Sequence, residues 1–279
     1  MLSVHLGSGR VEVRHEPVPH RPEGFALIRL LLGGICNTDL ELQRGYYGYT
    51  GTPGHEFVGE VVAADDSHWV GKRVVGEINL ACHHCSWCHA GRERHCPRRT
   101  VLGIVEHPGA FREFLTLPER NLHEVPDSIS TEQAVFTEPL AAACNILENA
   151  KIPHGAEVAV LGDGKLGLLI SQVLQASGCR VHQFGKHPGK LQIAAKAGVT
   201  TELISDNMPV AKYRWVVEAT GSPAGLRTAV RMVQPLGLIV LKSTMHGEVP
   251  IDTAPVIVNE ITLLGSRCGL FPPALDLLL

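Results

Sequence analysis

Apolar and polar positions change rhythm near the middle of the chain. Up to about residue 130, short apolar runs such as FALIRLLLG, EFVGEVVAA, KRVVGEI and FREFLTLP are separated by glycine and proline, without regular alternation of strand and helix. Runs of that length bounded by turn residues predict β-strands. Ser130 and Gln133 then form a capping box, and apolar positions continue through Leu147, which predicts one helix. After Pro153-His154-Gly155, strand patterns recur at EVAVLG (157–162), RVHQFG (180–185), TELI (201–204), RWVVEAT (214–220), GLIVLKS (237–243) and ITLLGS (261–266). Helices fall between several of them; the first carries Leu166, Leu169, Ile170, Val173 and Leu174 on one face. Such alternation signals a parallel sheet. The fold class is therefore α/β, with a β-rich domain over 1–150 and a doubly wound domain over 151–279. The boundary is expected near residue 150, at the end of the linking helix.

Composition narrows the class further. Hydrophobic residues make up 44% of the 279, enough for ordinary cores in two modest domains. A net charge of -3 without a basic stripe argues against a nucleic-acid partner. No polybasic segment and no uninterrupted apolar run of spanning length argue for a membrane. The opening residues lack the apolar core of an export signal, so the expected location is the cytoplasm.

Four of the eight cysteines, Cys82, Cys85, Cys88 and Cys96, follow the spacing C-x2-C-x2-C-x7-C within a lobe at 77–100. Four thiolates so placed can surround one tetrahedral Zn2+ with bonds of about 2.3 Å. A disulfide framework fits poorly, because two-residue gaps between successive cysteines make paired bridges awkward. His83, His84, His89 and His95 stand nearby as competing ligands, but four soft thiolates already fill the shell. Cys144, Cys179 and Cys268 read as inert core thiols.

Gly162-Asp163-Gly164-Lys165-Leu166-Gly167 supplies G-x-G-x-x-G after an apolar strand and at the start of an amphipathic helix, the context a dinucleotide site requires. The first glycine permits the tight turn, the second admits the pyrophosphate, and the third lets helix and strand pack closely. At the end of the second strand an acid would favour NAD; this chain has Gly185-Lys186-His187. Lys186 and His187 could pair with a 2′-phosphate, which tilts the expectation toward NADP; otherwise both are solvated loop residues. Glu218, Ala219, Thr220 and Gly221 end the fourth strand at the carboxyl edge, where ligands bind in such sheets. The plain alternative for Glu218 is a surface charge.

A second set of metal-type residues is scattered: Cys36, Asn37, Thr38 and Asp39, then His55 and Glu56, then Glu138. Their separation is too large for spacing to join them, and singly they read as core, turn and helix-surface residues. Taken in order, however, GICNTD, GHEFVGEV, the four-cysteine lobe, EPLAAA and GDGKLG resemble the zinc-containing medium-chain alcohol dehydrogenase family, in its sorbitol/threonine dehydrogenase-like branch. The resemblance covers nearly the whole chain. It implies a chaperonin-10-like catalytic domain joined to a Rossmann domain, with the active site in the cleft between them.

Carried over by motif, the resemblance makes Cys36 and His55 ligands of a catalytic zinc. It makes Glu56 a direct or exchanging ligand and Glu138 a ligand or a neighbour one water away. Thr38 would hydrogen-bond the substrate hydroxyl and pass its proton outward. Cys82, Cys85, Cys88 and Cys96 would hold a structural zinc, giving two Zn2+ per chain. The implied activity is hydride transfer between an alcohol or polyol and NADP or NAD. The alternatives are a zinc-free quinone or enoyl reductase of the same fold, which the cysteines disfavour, and an inactive protein that binds nucleotide and zinc. Glu41 stands where many relatives carry a relay histidine. The ending FPPALDLLL reads as the start of a helix, whereas family members continue into a tail that completes the catalytic domain. The run PVIVNEITLLG (255–265) is expected to pair with its own copy across a two-fold axis, giving a homo-dimer or tetramer.

Overall fold

In the computed structural model, which describes residues 1–7, 10–245 and 247–279, the apolar runs of the first half form small antiparallel sheets. Strands β1 (Leu2–Gly7) and β2 (Arg10–His15) pair as a hairpin. Next come β3 (Phe25–Gly34), helix α1 (Asn37–Gln43), β4 (Glu56–Ala63) and β5 (Arg73–Gly76). The lobe consists of β6 (Asn79–Leu80), α2 (Ser86–His89), β7 (Thr100–Leu102) and β8 (Glu106–His107). After β9 (Phe114–Pro118) and β10 (Leu122–Glu124), a five-stranded sheet is complete in the order β10-β5-β4-β3-β9. Ala26, Ile28, Val58, Val61, Val74, Leu115 and Leu117 are buried from its strands.

The helix expected from Ser130 to Leu147 is two helices, α3 (Thr131–Ala134) and α4 (Thr137–Ala150). Ser130 and Gln133 form the capping box as foreseen, with bonds of 3.2 and 3.0 Å. The break falls at Val135 and Phe136, which puts Pro139 in the first turn of α4. Proline has no N–H to continue a helical ladder, so it is accommodated in the first turn of a new helix.

The second half forms β11 (Glu157–Leu161), α5 (Lys165–Ala176), β12 (Arg180–Gly185), α6 (Pro188–Lys196), β13 (Thr200–Leu203), β14 (Tyr213–Glu218), α7 (Pro223–Met232), β15 (Val233–Leu241), α8 (Ala254–Val258) and β16 (Thr262–Gly265). Its six strands pair in parallel in the order β13-β12-β11-β14-β15-β16. Numbered within this half, that order is 3-2-1-4-5-6, the doubly wound arrangement of dinucleotide-binding folds. The expected edge segment 255–265 is only partly extended. Pro255 sits in the first turn of α8, which its fixed φ suits, and β16 begins only at Thr262.

Two compact units result: Met1–Glu138 with Leu270–Leu279, and Pro139–Gly269. The division at Glu138, rather than at residue 150, has a local cause. Lys242 Nζ donates to Ala142 O at 2.8 Å and to Arg267 O at 3.0 Å, and Asn145 Nδ2 donates to Ser266 Oγ at 3.2 Å. These bonds tie α4 to strand ends of the second unit. The helix expected at the end of the chain is present as α9 (Phe271–Leu278) and packs in the first unit. Its first N–H donates to Glu77 Oε1 at 3.2 Å, and Phe271 and Ala274 are buried. No helix among the described residues is long and apolar enough to cross a membrane.

Candidate functional site

The pairing of β3 with β4 joins residues that spacing could not. The strands run antiparallel with Gly34 opposite Glu56, so the end of one and the start of the other lie side by side. Cys36 lies two residues past the end of β3, and His55 immediately precedes β4. Ligand atoms of Cys36, His55 and Glu56 lie within 4.8 Å of one another, and His55 and Glu56 are 3% and 1% exposed. Gly34 is required here, because a Cβ would overlap the Glu56 carboxylate. Thr38, in the first turn of α1, places Oγ1 3.7 Å from Cys36 Sγ. Glu138, in the first turn of α4, is buried but is not a fourth member of the cluster.

Asp39 organises this centre, a role that sequence reasoning passed over. Its Oδ2 accepts the Cys36 N–H at 2.8 Å, and its Oδ1 accepts the Gly54 N–H at 3.2 Å while facing His55 Nδ1 at 3.4 Å. The available signal was its place three residues after Cys36, the position whose side chain reaches back over a helix start. Burial works against a charged His55, but the nearby Asp39 carboxylate and Cys36 sulfur outweigh it, and the imidazole stands above its ordinary pKa. Thiol, imidazole and carboxylate are also the donors zinc takes, and a carboxylate behind a ligand histidine is the usual way its ring is oriented. With Nδ1 toward Asp39, Nε2 remains as the donor. The residues fit a zinc ion.

The lobe cysteines converge as well. Their Sγ atoms are 3.5 Å apart for Cys85–Cys88, 3.8 Å for Cys85–Cys96 and 3.5 Å for Cys82–Cys96. A tetrahedron with bonds of about 2.3 Å has edges of about 3.8 Å, and all four thiols are free of disulfides. A backbone N–H from His84 helps lower the Cys82 thiol to about 6, while burial and the neighbouring thiols push Cys88 up to about 12. Four thiols this close together need a cation to deprotonate together.

In the second unit, the turn from β11 into α5 has the geometry its glycines imply. Gly162 adopts φ +115°, and a Cβ on it would overlap Ala219 O. A Cβ on Gly167 would overlap Gly162 O, so helix and strand are at closest approach there. Gly164 is the N-cap of α5, with open space where a Cβ would stand. Lys165 and Leu166 follow in the first helical turn. Glu218 closes β14 and accepts the Thr220 N–H at 2.8 Å and its hydroxyl at 2.6 Å. The Gly221 N–H donates to Ser243 Oγ at 2.8 Å.

Known proteins share both halves of this arrangement. Residues 22–127 match the alcohol dehydrogenase GroES-like domain, and residues 166–279 match the zinc-binding dehydrogenase domain. An erythritol/L-threitol dehydrogenase of Mycolicibacterium smegmatis is 30% identical over 284 residues, covering 90% of this chain and 78% of its own length. The chain belongs to the zinc-binding alcohol dehydrogenase family. It is an oxidoreductase that moves a hydride between an alcohol or polyol and NAD(P). An L-threonine 3-dehydrogenase of Chelativorans sp. is 32% identical over 270 residues, covering 89% of this chain and 78% of its own. The crystal structure of an alcohol dehydrogenase from Escherichia coli, complexed with NADH, matches with a TM-score of 0.90 at 26% identity, over 100% of this chain and 87% of its own.

Glu41, in α1, pairs with Arg44 at 2.6 Å. Tyr47 and Tyr49 border a cavity of about 570 Å3 in the first unit, together with Thr52, Glu106 and His107. Lys186 and His187 are exposed at the end of β12.

Proposed function

We propose that the chain oxidises a small alcohol or polyol at a zinc ion held by Cys36, His55 and Glu56, and that a second zinc in the Cys82, Cys85, Cys88 and Cys96 lobe is structural. The meeting of half-buried Cys36 with buried His55 and Glu56, beside the Thr38 hydroxyl, carries this reading. When bound, the first zinc supplies Lewis acidity that lowers the pKa of a substrate hydroxyl. Asp39 fixes the backbone of Cys36 and the ring of His55. Thr38, half-buried, accepts the substrate proton at Oγ1 and hands it toward solvent; Glu41, engaged with Arg44, is not its relay. Glu138 stays outside the ligand set.

For the cofactor, Gly162, Gly164 and Gly167 let the pyrophosphate approach the backbone of Lys165 and Leu166 at the start of α5. Glu218, Ala219, Thr220 and Gly221 border the nicotinamide half, and Gly185, Lys186 and His187 border the adenosine half. Relatives named for erythritol and L-threonine support a substrate with a second polar group beside the reacting hydroxyl. Exposed Leu263 on the edge strand β16, with exposed Ile257 and Val258 before it, supports a homo-oligomer. We infer a cytoplasmic setting from the thiol-rich metal sites.

The test combines metal content with turnover. Wild-type chain should hold two zinc ions and oxidise members of a panel of alcohols, polyols and 3-hydroxy amino acids. Cys36→Ser should lose one zinc and all turnover, with dinucleotide affinity intact. Retention of both zinc ions in that variant, or equal loss of dinucleotide binding, would overturn the assignment.

A further inference from the structure

The strand end that carries Gly185 in place of an acid is not without one. Asp163, the second residue of the glycine turn, sends its carboxylate there from β11. Its Oδ2 accepts the N–H of Lys186 at 2.7 Å, the N–H of His187 at 2.6 Å and a bond from the His187 ring at 3.0 Å. Gly185 makes this possible, since a Cβ on it would stand 2.6 Å from the Asp163 Cβ and 2.7 Å from Oδ2. Asp163 is 7% exposed. Burial alone would raise its pKa, but the two N–H donors and His187 hold it below the ordinary carboxylate value, so it is ionised at neutral pH.

Two successive N–H groups at a strand end form an anion cradle. At this end of a dinucleotide groove a 2′-phosphate needs such donors and a cation, whereas a free ribose needs a carboxylate to accept its hydroxyls. Here the cradle is filled by the chain's own anion. The hydrogen bonds that Asp163 accepts among the described residues all fall on Oδ2, leaving Oδ1 for a ribose hydroxyl. Lys186 and His187 are exposed, where water and salt screen their attraction for a phosphate.

We propose that Asp163 is the residue that selects the cofactor, and that it selects NAD over NADP. The assignment rests on the reading of the second unit as a dinucleotide site, and it reverses the preference that Gly185, Lys186 and His187 suggest by themselves. A 2′-phosphate would have to displace a carboxylate held by three donors, or lie against its negative charge.

Titration of the purified holoenzyme with NAD+ and NADP+, followed by calorimetry, tests the proposal without turnover. Wild-type chain should bind NAD+ at least tenfold more tightly than NADP+. Asp163→Asn should narrow that ratio at least tenfold, chiefly by gain of NADP+ affinity, and Lys186→Ala should leave it within twofold. Equal or tighter binding of NADP+ by the wild type would overturn the proposal alone, as would an unchanged ratio in folded Asp163→Asn. Binding of neither dinucleotide would overturn the cofactor reading and the proposal with it.

Discussion

Replacing Asp39 by Asn probes the buried centre with the smallest change of shape. The two carboxylate oxygens serve different donors, Oδ2 the Cys36 N–H and Oδ1 the Gly54 N–H beside His55 Nδ1. An amide has one acceptor oxygen, so either orientation turns an NH2 group against a buried N–H. That unmet donor costs about 1–3 kcal/mol. The negative charge behind the His55 ring is lost as well. Changes to groups that orient a ligand histidine weaken metal binding by about 10- to 100-fold, or about 1.4–2.8 kcal/mol. The assay is metal content per chain during titration with a zinc chelator. Asp39→Asn should release its first zinc at roughly a tenth to a hundredth of the chelator strength the wild type withstands. The zinc of the four-cysteine lobe should leave at the same point in both. If the two proteins lose their first zinc together, Asp39 does not orient His55, and the account of this centre fails.

Other consequences can be checked separately. Cys96→Ser, at a fully buried lobe position, should remove one zinc and lower the melting temperature while the Cys36 centre keeps its metal; metal analysis of the variant decides this. Gly162→Ala places a Cβ on a residue at φ +115° and against Ala219 O. It should cost about 2–3 kcal/mol in denaturant unfolding and abolish dinucleotide binding. Asp163 has a folded pKa below its unfolded value, so its contribution is present above the ordinary carboxylate pKa of about 3.9 and is lost as pH falls through the folded value. The stability gap between wild type and Asp163→Asn should therefore be constant near neutral pH and close in acid. Phe271→Ala, at a residue 3% exposed, should cost about 3–5 kcal/mol and expose α9 to proteolysis.

What could be read from the sequence was what is local in it. The cysteine spacing, the glycine turn and each strand–helix step act over a few residues, and the alternating segments of the second half form the parallel sheet that was expected. Cys36, His55 and Glu56 were different. They meet through the register of β3 on β4, which no short window contains, so only resemblance to a family could join them. Asp39 and Asp163 went unrecognised because each acts chiefly on backbone donors, whose positions depend on the folded chain. The break before Pro139 and the helix at Pro255 were missed for a simpler reason. A proline within a longer helix or strand pattern is easily read through, although its missing N–H favours the first turn of an element.

The return of α9 to the first unit bears on how the protein is made. Phe271 docks beside Glu77, yet the ribosome delivers it only after the whole intervening α/β segment has been synthesised. Until then the nascent amino-terminal unit must wait with that apolar seat uncovered. A translational pause or premature stop before residue 270 would leave it open to chaperones.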